Sequence, residues 1–388
     1  MSFCKKIYIG TLLLFLFSVK LQSAHCMNIK IGLITTDKQI IISSTQNSVL
    51  LNLSNKQEIT KIKNKDSYLI ENTNSLLRIT NNNNKTKLGA FKGPVKLISE
   101  NIHNVILYNN IPYRGNLIFL NNSKDKNTTV VNEVDLEDYL TSVVPSEIPY
   151  KWHNEALKAQ VIAARSYALG FLNRRKEKGY DLESGVEDQV YLGVRAEKLS
   201  TSKAVNETKG VLLLDINNNP LIALYHSSGG GYTDSIENLW EKEDIKPSCH
   251  IQPRPDYDDN SPYFEWFKNY KLSEINNLLS YLNIGDISKI KVLSRSISKR
   301  AMQVEIAGSK GKKVIRGEEL RLSLKLPSSK YNIGFEDESI IFAGRGNGHG
   351  LGLSQWGAKA LAEDGFSYEQ ILAHYYPGAM LVKRANND

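Results

Sequence analysis

Between Gly344 and Gly352 every second residue is glycine, within the stretch GRGNGHGLGLSQWGAKALAEDG. Such a run constrains the chain strongly, because glycine trades side-chain packing for backbone conformations and close approaches that other residues cannot make. The preceding SIIFA has the branched and aromatic content of a strand, and SQWGAKALAEDG has helix formers ending at Gly365, a natural helix stop. The glycines therefore occupy a strand-to-helix junction. An extended run would set Arg345, Asn347, His349 and Leu351 on one face and leave the other bare, open to a ligand's ring or backbone. A flexible, tightly turned loop is the plainer alternative.

The N-terminal MSFCKKIYIGTLLLFLFSVKLQSAHCMN places Lys5 and Lys6 before an apolar run from Ile7 to Val19, followed by small residues. That pattern reads as a secretory leader over residues 1–26, too short for a comfortable membrane span of ~20 residues. Ala24 and Cys26 suit a cleavage site that leaves Met27 as the mature start, and a retained leader would instead anchor the chain to a membrane. Cys4 and Cys26 leave with the leader, so only Cys249 remains, and neither an internal disulfide nor a Cys-rich zinc site is available. The formal net charge of +8 falls by three to +5 once Lys5, Lys6 and Lys20 are gone. A mildly basic exported protein suits an anionic envelope surface, in the periplasm or elsewhere in the cell envelope. No Lys/Arg block or aromatic RNA-binding motif is present, which argues against a nucleic-acid partner.

From Asn28 to about Asn110, short apolar bursts such as IKIGLI, QIIIS and VILY alternate with Asn, Lys and Ser, as expected of short strands joined by polar turns. This reads as a small β-rich accessory module, residues 27–110, ahead of a larger catalytic domain, residues 111–383. The larger domain is expected to be β-sheet-rich with a few helices, an α+β class. Its clearest helix is NEALKAQVIAARSYALGFLNRRKEKG, with Asn154 as N-cap and the basic RRKEK and Gly179 at its end. Leu157, Val161, Ala164, Ala168 and Phe171 form its buried stripe, with Arg165 on the border, either snorkelling to solvent or pointing into a cleft. Ser367 and Gln370 stand in capping-box spacing before a last helix that stops at Pro377.

Several chemistries fail on spacing. The glycine run contains neither G-x-G-x-x-G nor G-K-[ST], so no nucleotide cofactor is expected. GLSQW resembles a nucleophile elbow but ends in Trp356, and no His-Asp pair is assigned to Ser354. His226, His349 and His374 are scattered in sequence, which gives no metal site. Glu147, in VVPSEIP, remains. It follows a strand-like run, and Pro149 keeps Ile148 extended before the helix. A carboxyl group at such a junction beside a cleft can be raised into the range of a general acid, although a solvated glutamate is the ordinary expectation there.

Taken together, VNEVDLEDYLTSVVPSEIPYKWHNEALKAQVIAARSYAL, DQVYLG, AVNETKGVLL, LYHSSGGGYTD, the glycine run and ILAHYYPG occur in an order that resembles the SpoIID/LytB family. These are the stage II sporulation protein D and amidase-enhancer proteins of bacterial envelopes, and the resemblance covers roughly Pro112 to Val382. It implies a lytic transglycosylase acting on peptidoglycan glycan strands stripped of stem peptides, or else a non-catalytic wall-binding protein that stimulates a cell-wall amidase. The family's catalytic glutamate falls on Glu147, and its helix arginine falls on Arg165. Gln189, Tyr191, His226, Ser227, Ser228, His349, Gln355 and Trp356 match motif positions expected to line the glycan cleft. A hydrolase would need a second carboxylate, for which Asp138 and Asp188 are the candidates. SISKRAMQVEI matches the family only loosely.

Overall fold

The computed structural model describes residues 27–101, 105–122, 127–239 and 249–384, so the expected leader lies outside the described residues. The chain is α+β, with mixed sheets and short helices. The α-helices among the described residues are α1 (Leu136–Glu147), α2 (Asn154–Gly170), α3 (Leu199–Glu207), α4 (Ile236–Leu239), α5 (Leu272–Leu278), α6 (Gly317–Ser323), α7 (Gln355–Glu363) and α8 (Tyr368–Tyr375). No described helix is long and apolar enough to cross a membrane.

Strand Asn28–Thr36 pairs antiparallel with Thr128–Asp135 along its whole length, from Asn28 opposite Asp135 to Thr36 opposite Thr128. These two strands sit within a seven-stranded sheet that continues through Asn116–Asn121, Val95–Ser99, Ser48–Asn52 and Gln57–Ile62. A six-stranded sheet contains Ile40–Ser44 and the hairpin Ile106–Tyr108 and Ile111–Tyr113, so residue 110 lies in a hairpin turn. Alternation explains the faces: Ile29 and Ile31 are buried on either side of exposed Lys30, and Ile40 and Ile42 on either side of exposed Ile41. Their inward faces join one hydrophobic core with α1, α2, α7 and α8.

Strand Thr128–Asp135 runs directly into α1, where Asp135 Oδ1 caps the helix by accepting from the Glu137 and Asp138 amides at 2.9 and 3.4 Å. The VVPSE segment, read from sequence as strand-like, is the last part of α1, with Pro145 inside it. Ile148 is extended, as Pro149 requires, so the helix ends at Glu147. The next helix is shorter than its sequence pattern: α2 stops at Gly170, and RRKEKG forms a turn and a 3-10 segment closed by Gly179. Its N-cap is His153 rather than Asn154, because Asn154 turns its amide to Glu207 while His153 Nδ1 accepts from the Glu155 amide. Alanine at five positions lets neighbours approach from all sides, so α2 is buried around nearly its whole circumference and not along one stripe.

A second hydrophobic core is built from residues 266–342. Strands Trp266–Lys271, Ser339–Gly344 and Tyr331–Glu336 form one of its sheets, and Ile287–Arg295, Ala301–Gly308 and Gly311–Arg316 form the other. The glycine run leaves this lobe at Gly344 and returns to the first core at Leu351 and Leu353. At the end of the chain the capping box of α8 is present, with Gln370 Oε1 accepting from the Ser367 amide at 2.9 Å.

Candidate active site

Glu147 ends α1 half-buried, and its Oε1 accepts from the Val190 amide at 2.7 Å. Burial raises its pKa, opposed by the Val190 hydrogen bond. The C-terminal end of a helix is also the negative end of its dipole, which disfavours a carboxylate further. The Glu147 carbonyl accepts from Gln355 Nε2 at 3.1 Å, so the first turn of α7 is tied to the last turn of α1. One position on, Trp356 packs edge-on against Trp152, with ring centroids 4.9 Å apart, and its amide donates to the Ser227 carbonyl. A groove of about 640 Å³ begins at Trp152, Tyr150 and Lys151 and is closed on its other side by Glu197 to Ser200.

The glycine run is not an extended strand with a bare face. Gly346, Gly348, Gly350 and Gly352 all have positive φ, between 67° and 99°, so every second residue is left-handed. The space beside them is filled by the protein itself. A Cβ on Gly346 would lie 2.6 Å from the Ser228 carbonyl oxygen, and one on Gly352 would lie 2.0 Å from the Leu224 carbonyl oxygen. Tyr225–His226 pairs in parallel with Leu353–Ser354, and Ser228 bridges Asn347. The motifs LYHSSGGGYTD and GRGNGHGLGLSQW therefore lie against each other, and the glycines allow that contact. Ser354 is the N-cap of α7, its Oγ accepting from the Gly357 amide, which accounts for the serine without a nucleophilic role.

This pairing brings the His226 and His349 rings to 5.5 Å, although the two are far apart in sequence. His226 Nδ1 lies 3.1 Å from the Leu351 carbonyl, which only accepts, so Nδ1 carries the hydrogen. His226 Nε2 is then an acceptor, buried without a hydrogen-bond partner. Burial, with His349 and Arg300 nearby, holds the His226 pKa well below its ordinary value, and the ring stays neutral. His374 lies elsewhere, with Nε2 2.8 Å from the Pro255 carbonyl. No group of three metal-ligating side chains occurs among the described residues.

Other expected cleft residues have different surroundings. Arg165 neither snorkels nor faces a cleft: it is 1% exposed, its Nε and Nη2 donate to the two Glu137 oxygens at 2.9 and 2.6 Å, and Nη1 donates to the Val211 carbonyl. A guanidinium so occupied braces α1 against α2 and Val211–Leu214. Tyr191 is a core residue, stacked at a tilt on Tyr139 and donating to Asn132 Oδ1 at 2.7 Å. Gln189 is fully buried one position before Val190, held between Tyr139, Tyr225 and the Ala164 carbonyl. It fixes the irregular segment that presents the Val190 amide to Glu147. Ser228 is buried and donates to Asp258, whereas Ser227, His349 and Trp356 are half-buried. Of the two further carboxylates, Asp188 is enclosed by Arg174 and Arg175, and Asp138 lies 3.9 Å from Arg114.

Sequence reasoning missed a set of buried charges behind the paired motifs. Arg300, in the loosely matching SISKR segment, is fully buried, and its guanidinium donates to the Gly348 and Gly229 carbonyls at 3.2 Å. Asp256 accepts from the Gly229 amide and from the Tyr375 hydroxyl, and Asp258 accepts from the Gly230 and Gly231 amides. Burial and the neighbouring Asp258 push the Asp256 pKa up to about 7. The signal for the pair was their spacing in PDYDD: positions two apart in extended chain share one face.

A family model described as Stage II sporulation protein matches residues 124–214, and one described as a domain of unknown function matches residues 222–352. The first span carries Glu147, and the second carries most of the smaller lobe with both paired motifs up to Gly352. The chain is 31% identical to an uncharacterized protein of Brachyspira hyodysenteriae, over 71% of this chain and 73% of that one. It is 30% identical to the stage II sporulation protein D of Bacillus amyloliquefaciens, over 64% of this chain and 74% of that one. The amidase enhancer of Bacillus subtilis is 29% identical, over 63% of this chain and 40% of that protein. With the motifs in order and nearly three quarters of a stage II sporulation protein D covered, the chain belongs to the SpoIID/LytB family.

Proposed function

We propose that the protein is a lytic transglycosylase that cleaves peptide-stripped glycan strands of peptidoglycan between N-acetylmuramic acid and N-acetylglucosamine. The carrying observation is the raised carboxyl group of Glu147, fixed at one oxygen by the Val190 amide, with the Glu147 carbonyl tied to Gln355, the residue before Trp356 of the Trp152 and Trp356 pair. Protonated Glu147 donates its hydrogen to the bridging oxygen as the bond from the muramic acid C1 breaks. The resulting carboxylate then accepts the hydrogen of that sugar's own 6-hydroxyl as O6 bonds to C1. The products are a 1,6-anhydro end and a free hydroxyl, with no water consumed and Glu147 returned to its starting state.

A hydrolase needs a second placed carboxylate. Asp188 is committed to two arginines, which favours the one-carboxylate route. The exposed Tyr150 ring beside Trp152 suits a sugar face. This reading puts the protein in the cell envelope, exported or anchored by residues 1–26. The amidase-enhancer relative favours one second reading, a wall-binding protein that stimulates a separate amidase. Mass spectrometry of peptide-stripped strands incubated with the mature chain, beside Glu147→Gln, separates the two. Anhydro ends from the wild type alone support the transglycosylase. Binding without cleavage, together with stimulation of an amidase, supports the enhancer.

A further inference from the structure

A second groove, of about 470 Å³, lies in the smaller lobe away from Glu147. Arg295, Lys299, Lys330 and Arg345 line it against one carboxylate, Glu265, with the Phe267 ring 74% exposed at its edge. Glu265 pairs with Arg345, so the lining keeps an excess of three positive charges. Lys330 Nζ, half-buried, donates to the Gly230 carbonyl at 2.6 Å, and an ammonium has three hydrogens to give. Burial first, and then Arg300 and Arg345 nearby, lower its pKa to about 8, and a bound anion would favour its charged form.

The groove backs directly onto the paired motifs. Lys330 holds Gly230 of HSSGGG, and the Arg345 amide donates to the Lys330 carbonyl at 2.9 Å. Gly230 is three residues from Ser227, a chain length of at most about 11 Å, and the Ser227 carbonyl accepts from the Trp356 amide. The short segment from Ser227 to Gly230 thus joins the Trp356 end of the paired motifs to the cationic groove. The volume fits a small group or one sugar unit, well below the footprint of a folded protein.

We propose that this groove binds a carboxylate of the glycan strand itself: the lactyl carboxylate that each muramic acid exposes once its stem peptide is removed. The assignment rests on the glycan substrate proposed above and deepens it, giving a physical reason to prefer stripped strands, since an amide-linked peptide cancels the charge at that position. Arg295 and Lys299 supply the outer cations, Lys330 the inner one, and Phe267 an apolar face for the ring.

The test is binding by the full mature chain carrying Glu147→Gln, which prevents turnover, to fluorescent stripped strands with free lactyl carboxylates or with the same carboxylates converted to methylamides. Free-acid strands are expected to bind about tenfold tighter than methylamides, with the difference shrinking in high salt. Adding Arg295→Gln and Lys299→Gln should weaken free-acid binding about tenfold and leave methylamide binding unchanged. Equal binding of the two strand types overturns the proposal whatever the variants do. So does a phosphodiester polymer, poly(glycerol phosphate), that binds more tightly than the strands and loses that affinity in the double variant. Wild-type cleavage is scored separately: carboxylate-dependent binding without anhydro products defeats the transglycosylase reading and leaves the groove standing, whereas cleavage with indifferent binding defeats the groove alone.

Discussion

Glu147 and Gln355 are 208 positions apart in sequence, and the Gln355 side-chain amide donates to the Glu147 carbonyl at 3.1 Å. That bond holds the last residue of α1, a helix end weakened by Pro145, against the first residue of α7. Gln355 is in this respect a positioning residue. Gln355→Ala is expected to lower kcat about tenfold on stripped glycan with KM little changed, because the acid loses its placement while the binding surface remains. Steady-state kinetics check this, and a change confined to KM would instead make Gln355 a binding residue.

Glu147→Gln should abolish cleavage, a loss on the order of 10² to 10⁴-fold, since the amide can still accept from Val190 but has no acidic proton to transfer. Because the Glu147 pKa is raised, wild-type activity should fall as pH climbs through that raised value, when the acid form is lost. Stability follows the same sign. A raised carboxyl contributes stability fully below its ordinary value of 4.5 and loses it as pH rises through the folded value. Glu147→Gln should therefore melt higher than the wild type near neutral pH, with the gap closing at about pH 4, as melting curves across pH would show.

Arg165→Met leaves Glu137 without its buried partner and should cost about 3–5 kcal/mol of unfolding free energy, measured by denaturant titration. Combining it with Glu137→Leu should recover a large part of that loss, because the uncompensated charge is removed as well. A sugar-binding role would predict the opposite pattern, with weak effects on unfolding and a large one on KM. The geometry favours the brace, since Nε, Nη1 and Nη2 of Arg165 all donate within the protein.

Local order was legible where short-range physics decides it: the capping box at Ser367, the extended Ile148 before Pro149, and the strand and helix on either side of the glycine run. The α+β class followed from the same signals. What periodicity could not convey was partnership. Arg165 sat on the border of a stripe in sequence, and only Glu137, 28 positions away, decides that it turns inward. The bare face expected of the glycine run is covered by Leu224 to Gly230, a segment some 120 residues earlier. Tyr191 and Gln189 resemble cleft residues by motif, yet they act from beneath, holding the segment whose amide at Val190 reaches Glu147.

The glycines offer the sharpest test of that contact, because two of them share a conformation and differ in surroundings. Gly350 has φ +82, and a Cβ there would lie 2.3 Å from the Arg300 guanidinium; Gly365 has φ +88 and nothing within 4 Å. Alanine at Gly365 meets only the left-handed backbone penalty, about 1–2 kcal/mol. At Gly350 the same penalty is joined by displacement of a fully buried arginine from the Gly348 and Gly229 carbonyls, which leaves a charge and two carbonyls unsatisfied. Gly350→Ala should therefore lose at least about 3 kcal/mol more than Gly365→Ala in denaturant titrations. Equal losses at the two positions would mean that Arg300 can leave its place freely, and that the contact between the two motifs does not depend on it.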